Sequence, residues 1–175
     1  VLMHELGHVI DMEHMSEGVM HNVLSTSTRH LIVDNGEAEP VVETVQTNIY
    51  SSSGSALAIS HTGVTESTIE ITDEVTIDDI NIQLDITHDR VSDLKVELVA
   101  ADGTVIELIS HGSGMGSQYS FNGIVLDDDA STSASLANGS GSYQSVGDLS
   151  TLEGMSLAGT WILRVTDNRG GRNGT

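Results

Sequence analysis

VTIDDINIQLDIT, residues 75–87, sets Ile80, Ile82, Leu84 and Ile86 on one side of an extended chain and Asn81, Gln83 and Asp85 on the other. A period of two residues is that of a strand with one face buried. The same alternation returns in DLKVELVAADGTVIELI (93–109) at Leu94, Val96 and Leu98, and in TWILRVTD (160–167) at Trp161, Leu163 and Val165. Between Leu98 and a second strand over Thr104–Ile109 stands Asp102-Gly103, a pair that suits the positive φ of a tight primed hairpin turn. Short strands separated by turn signals imply a mainly β chain folded as an antiparallel β-sandwich. The Gly-Ser-rich stretches at 110–118 and 131–142 read as loops.

Composition agrees with this reading. Hydrophobic residues make up 38% of the 175, enough for a core, but aromatic residues are only 3%, so that core rests on Val, Ile and Leu. The 26 acidic against 6 basic residues give a net charge of −20, which excludes nucleic acid and anionic membrane as partners. With no cysteine there is no disulfide scaffold, thiolate zinc site or cysteine nucleophile. No apolar stretch approaches the ~20 residues that span a bilayer.

The first thirty residues differ in character, holding five of the eight histidines and four of the six methionines. His4-Glu5-Leu6-Gly7-His8 places two imidazoles about 40° apart around a helix, on one face, where both reach a single metal. Glu5 stands between them, suited to act on a metal-bound water. His14 lies six residues beyond His8, roughly 240° further round, so it joins the pair only if the chain turns sharply near Asp11. This pattern resembles the metzincin zinc endopeptidases, with Met20 where that family has its Met-turn. The departure is Asp11 in place of the usual glycine, though Asp adopts left-handed backbone angles more readily than most residues. The resemblance implies Zn2+ held by His4, His8 and His14, an open position for water, and Glu5 as general base in peptide-bond hydrolysis. His21 and His30 read as ordinary surface or loop histidines.

A second resemblance covers the rest of the chain. Asp85-Ile86-Thr87-His88, Ser92-Asp93-Leu94-Lys95-Val96-Glu97-Leu98, the Ala101-Asp102-Gly103-Thr104 turn with Leu108 after it, and Gly159-Thr160-Trp161-Ile162-Leu163-Arg164-Val165-Thr166-Asp167 arrive in the order seen in the P (Homo B) domain of kexin- and furin-like proprotein convertases. The expected organisation is a short helical remnant of a metalloprotease catalytic domain at 1–33, an acidic linker at 34–47, and a jelly-roll-like P-domain sandwich at 48–175. Both ends are expected to be cut, the last family strand falling beyond Gly174-Thr175. The implied function is zinc-dependent proteolysis by a secreted parent, with a P domain that stabilises the protease or aids substrate binding, touches the catalytic domain and is inactive by itself. Two alternatives stand: a P domain attached to a subtilisin/kexin-like serine endopeptidase, or a non-catalytic binding module of a large exoprotein. Within the sandwich, His88 and Asp93 read as a structural pairing at a strand end, and Trp161 as core. Asp127-Asp128-Asp129 is a carboxylate run able to bind Ca2+, against the plainer reading of a solvated loop.

Overall fold

A computed structural model describes residues 22–30, 44–52, 54–59, 62–112, 120–137 and 139–169 of the chain. Nine strands occur among them: β1 (Asn22–His30), β2 (Thr44–Ser51), β3 (Gly63–Ile71), β4 (Asp79–Thr87), β5 (Leu94–Val99), β6 (Val105–Ile109), β7 (Ser120–Leu126), β8 (Gly141–Tyr143) and β9 (Gly159–Asp167). They form a five-stranded sheet in the order β2-β1-β4-β7-β8 and a four-stranded sheet in the order β3-β9-β5-β6. Every pair is antiparallel except the short β7–β8 pair, which is parallel. The described helical pieces are all short 3-10 turns, at Val91–Asp93, Ala134–Leu136 and Leu149–Leu152.

The core is where the alternation places it. Ile80, Ile82, Leu84 and Ile86 of β4 are all 1% exposed or less, and they share one hydrophobic cluster with Leu94, Val96 and Leu98 of β5 and Trp161, Leu163 and Val165 of β9. Each such side chain contributes about 1.5–3 kcal/mol by leaving water. The Trp161 indole is buried among them and donates its N–H to the Leu157 carbonyl at 2.7 Å, so the ring's one polar group is satisfied.

Two bulges reset the alternation. Opposite β4, the register jumps from Leu84↔Ile124 to Ile86↔Phe121, and Asp85 Oδ1 accepts the Gly123 N–H at 2.6 Å where the ladder is interrupted. Phe121 and Ile124, an odd number apart, both point inward as a result. Between β5 and β6 the register jumps from Val96↔Ile109 to Glu97↔Glu107, and Leu108 and Ile109 are both buried.

The β5–β6 reversal departs from the primed turn expected at Asp102-Gly103. That turn needs positive φ at both central residues, whereas among described non-glycine residues only Thr62 has it. The chain instead uses the three-residue loop Ala101–Gly103. Gly103 N–H donates to Ala100 O, Ala100 N–H to Thr104 O, and Gly103 alone takes the left-handed side at φ +91°.

The N-terminal strands cut across the expected organisation. β1 falls inside the stretch read as a protease remnant, and β2 begins inside the expected linker. Yet β1 pairs with β4 over Asn22↔Leu84 to Ser27↔Asp79, and with β2 on its other edge. The five-stranded sheet therefore reaches back to residue 22 rather than starting at 48. The helix expected around His4 and His8 lies outside the described residues.

Candidate functional site

Among the described residues one histidine and two aspartates are buried, and they meet at one end of the sandwich: His88 is 1%, Asp93 2% and Asp167 2% exposed. Their positions follow from the strands. His88 follows directly on β4, Asp93 closes the 3-10 turn leading into β5, and Asp167 ends β9. The register Leu94↔Asp167 brings the last two side by side, and Asn168 N–H donates to the Asp93 carbonyl at 3.2 Å.

His88 Nδ1 lies 2.8 Å from the Arg90 carbonyl and 3.1 Å from the Arg90 N–H, so the backbone just after it fixes the ring. Nε2 faces Asp167 Oδ2 at 3.5 Å, both side chains fully enclosed. That separation is long for a hydrogen bond, and neither atom has another hydrogen-bond partner among the described residues. The other Asp167 oxygen accepts the Arg169 N–H at 2.9 Å, and Arg169 Nε lies 3.9 Å from Asp93 Oδ1. Both ring nitrogens of His88 are turned on protein atoms and neither His88 nor Asp167 meets solvent. The group thus sets the end of β4 of one sheet against the end of β9 of the other. His88 bonds the backbone at Arg90 and faces Asp167, a carboxylate that sequence reasoning did not name.

The carboxylates of the Asp127–Asp129 loop act on a neighbour. The pKa of Asp79 is raised, first by burial and then by repulsion from Asp127, Asp128 and Asp129. Asn81 Nδ2 donates to Asp79 Oδ2 at 3.1 Å, and Asp127 Oδ1 accepts the Asp129 N–H at 2.8 Å. Among the described residues no group of three His, Cys, Asp or Glu side chains is arranged to hold a metal ion. His4, Glu5, His8, His14 and Met20, the residues expected to form a zinc centre, lie outside the described residues. An open groove of about 380 Å³ runs between residues 52–57 and the edge of β3 at 66–68. No described helix is long and apolar enough to cross a membrane.

The described strands form a β-sandwich of a five-stranded and a four-stranded sheet, with His88, Asp93 and Asp167 enclosed at one end. The chain belongs to the proprotein convertase P-domain family, whose model matches residues 77–175, more than half of its length. β1, β2 and β3 precede that match and add strands to both sheets. Among solved structures the chain is similar to a serine protease of Aeromonas sobria, at 20% identity and a TM-score of 0.44, with 86% of this chain and 21% of that one covered. The chain thus spans about a fifth of that protein's length. No curated protein matches it.

Proposed function

We propose that this chain is part of a secreted endopeptidase and that its P domain supports the neighbouring peptidase domain. The observation that carries this reading is the family match over 77–175, on a sandwich with no catalytic machinery of its own among the described residues. A supporting domain needs only a rigid body and a surface that holds its neighbour, and anything that binds the folded state alone stabilises it. The crowded core and the enclosed His88–Asp167 pair supply that rigidity.

Family membership favours a subtilisin/kexin-like serine endopeptidase as the neighbour. A zinc endopeptidase is the second reading, favoured by His4, Glu5, His8, His14 and Met20. Three imidazoles are a donor set that suits zinc with a position left open. His4, His8 and His14 would hold the ion, Glu5 would hold the proton beside it, and the metal would supply Lewis acidity. Inhibition of the full-length protein separates the two. A sulfonyl fluoride should abolish peptidase activity under the first reading, with Glu5→Ala harmless. A chelator and Glu5→Ala should each abolish it under the second, with about one zinc per chain in the untreated protein. A full-length protein without any peptidase activity would refute both.

A further inference from the structure

The outward positions of the four-stranded sheet fall into rows set by its register. Thr68 of β3, Ile162 of β9, Val99 of β5 and Val105 of β6 lie side by side in one row, because Thr68 pairs with Ile162, Ile162 with Val99 and Val99 with Val105. Three of the four are aliphatic, and Val105 is 49% exposed. The next row, Glu66–Arg164–Glu97–Glu107, is charged, yet each of its charges meets a counter-charge on this same face. Arg164 Nε meets Glu66 Oε1 at 2.8 Å, while Lys95 Nζ meets Glu97 at 2.6 Å and Glu107 at 3.4 Å. On the far side of the apolar row, Thr160 Oγ1 donates to Glu70 at 2.7 Å.

This face stands apart from the rest of the molecule. The whole chain carries 26 acidic and 6 basic residues, but here three carboxylates meet two of those six cations, Glu66 on Arg164 and Glu97 and Glu107 sharing Lys95, while Glu70 accepts from Thr160. On the other sheet the outward positions of β4 are Asp79, Asn81, Gln83 and Asp85, a polar run with no aliphatic among them. A face most of whose charges already have a counter-charge loses less on being covered than one with lone charges, and its apolar row gains.

We propose that the outer face of the four-stranded sheet, centred on Ile162, Val99 and Val105, is the surface on which this P domain docks its peptidase domain. The proposal rests on the reading above that such a domain adjoins the chain. Size supports a tethered neighbour. With strands about 4.8 Å apart and four rows about 7 Å apart, the face measures roughly 500 Å². Counting both sides, that is about 1,000 Å², inside the ~600–1,500 Å² of inter-domain contacts and short of the 2,000 Å² and more of obligate dimers. A neighbour on the same polypeptide is present at millimolar effective concentration, so a modest apolar row suffices. Charge opposes a second copy, since each chain brings a net −20.

Hydroxyl-radical footprinting of the full-length protein tests this without relying on activity. Val105 and Ile162 should be labelled at least ~5-fold more slowly than their exposure in the sandwich implies, while Ile49, 48% exposed and on β2 of the other sheet, should label at its full rate. Val105→Asp should restore labelling of Ile162 and speed thermal inactivation of the peptidase about tenfold, with Ile49→Asp as the control that leaves both unchanged. Labelling of Val105 and Ile162 at their full rate would overturn the proposal. So would protection that arises in a dimer which Val105→Asp dissociates. Protection in a monomer that lacks peptidase activity would leave the docking face standing and refute the peptidase reading instead.

Discussion

Replacing His88 by alanine isolates the brace at the end of the sandwich. The substitution leaves Asp167 Oδ2, now 3.5 Å from the imidazole and fully enclosed, facing a cavity instead of a counter-group. Emptying that enclosed site and freeing the Arg90 backbone groups the ring bonds costs about 3–5 kcal/mol, and the lower value alone lowers the folding equilibrium roughly 150-fold. With a urea slope of about 2 kcal/mol/M, the midpoint should fall by about 1.5 M. The chain carries its own reporter, since Trp161 is the single tryptophan and is buried in β9. Its emission should follow urea unfolding in one step for both proteins. His88→Leu with Asp167→Leu should recover most of the loss, because apolar groups of similar volume often replace a buried pair at little cost. A shift under ~0.3 M for His88→Ala would refute the reasoning, for it would mean less than about 0.6 kcal/mol rests on the contact.

Three other perturbations probe separate parts of the structure. Tyr50 donates to Asp73 at 2.8 Å, tying β2 to the segment after β3, and burial, that bond and the Asp73 charge push its phenol up to about 12. A raised pKa means that the stability from the bond is whole below the ordinary value near 10 and is lost as pH climbs through 12, so Tyr50→Phe should cost about 0.5–1 kcal/mol at neutral pH and remove the latest phase of tyrosinate absorbance. Asp79, whose pKa is also raised, makes its favourable contribution only below the ordinary carboxylate range near 4 and loses it as pH rises. Asp79→Asn should therefore raise Tm at pH 7, less so in high salt, and give no gain near pH 3. At Gly159 the backbone sits at φ +130°, and an added Cβ would lie 2.6 Å from the Ala101 Cβ. Gly159→Ala should cost more than about 2 kcal/mol in urea unfolding, and Ala101→Gly in the same chain should return only the part due to the clash.

What the amino-acid order discloses, and what it hides, can be traced to particular strands. β4 and β9 are legible because each puts three or four large aliphatic or aromatic residues at strict alternate positions, the signature of a single buried face. β7 is not, because its bulge sets Phe121 and Ile124 three apart on the same side. β3 hides for a different reason: its inward set is Ser67, Ile69 and Ile71 while Val64 faces out, so polarity and direction disagree. β1, with Ser25, Thr26, Ser27 and Thr28 in sequence, offers no periodicity at all and follows a histidine motif that draws the eye elsewhere. His88 and Asp93 stand out in the sequence because they are close to strands and to each other. Asp167 does not, since a partner brought in by sheet register across the whole domain leaves no local trace.

The placement of β1 bears on the peptidase question more directly than any distant likeness does. His14, the last expected zinc ligand, and Asn22, the first residue hydrogen-bonded into the five-stranded sheet, are separated by eight residues, which span at most about 29 Å when fully extended. Met20 is only two residues from that strand. A zinc centre held by His14 would then lie within that reach of the β1–β4 edge, with β1 as its joint to the sandwich. That joint would turn cutting or melting β1 into loss of the metal site, a coupling that a serine peptidase with its own complete fold upstream would not show.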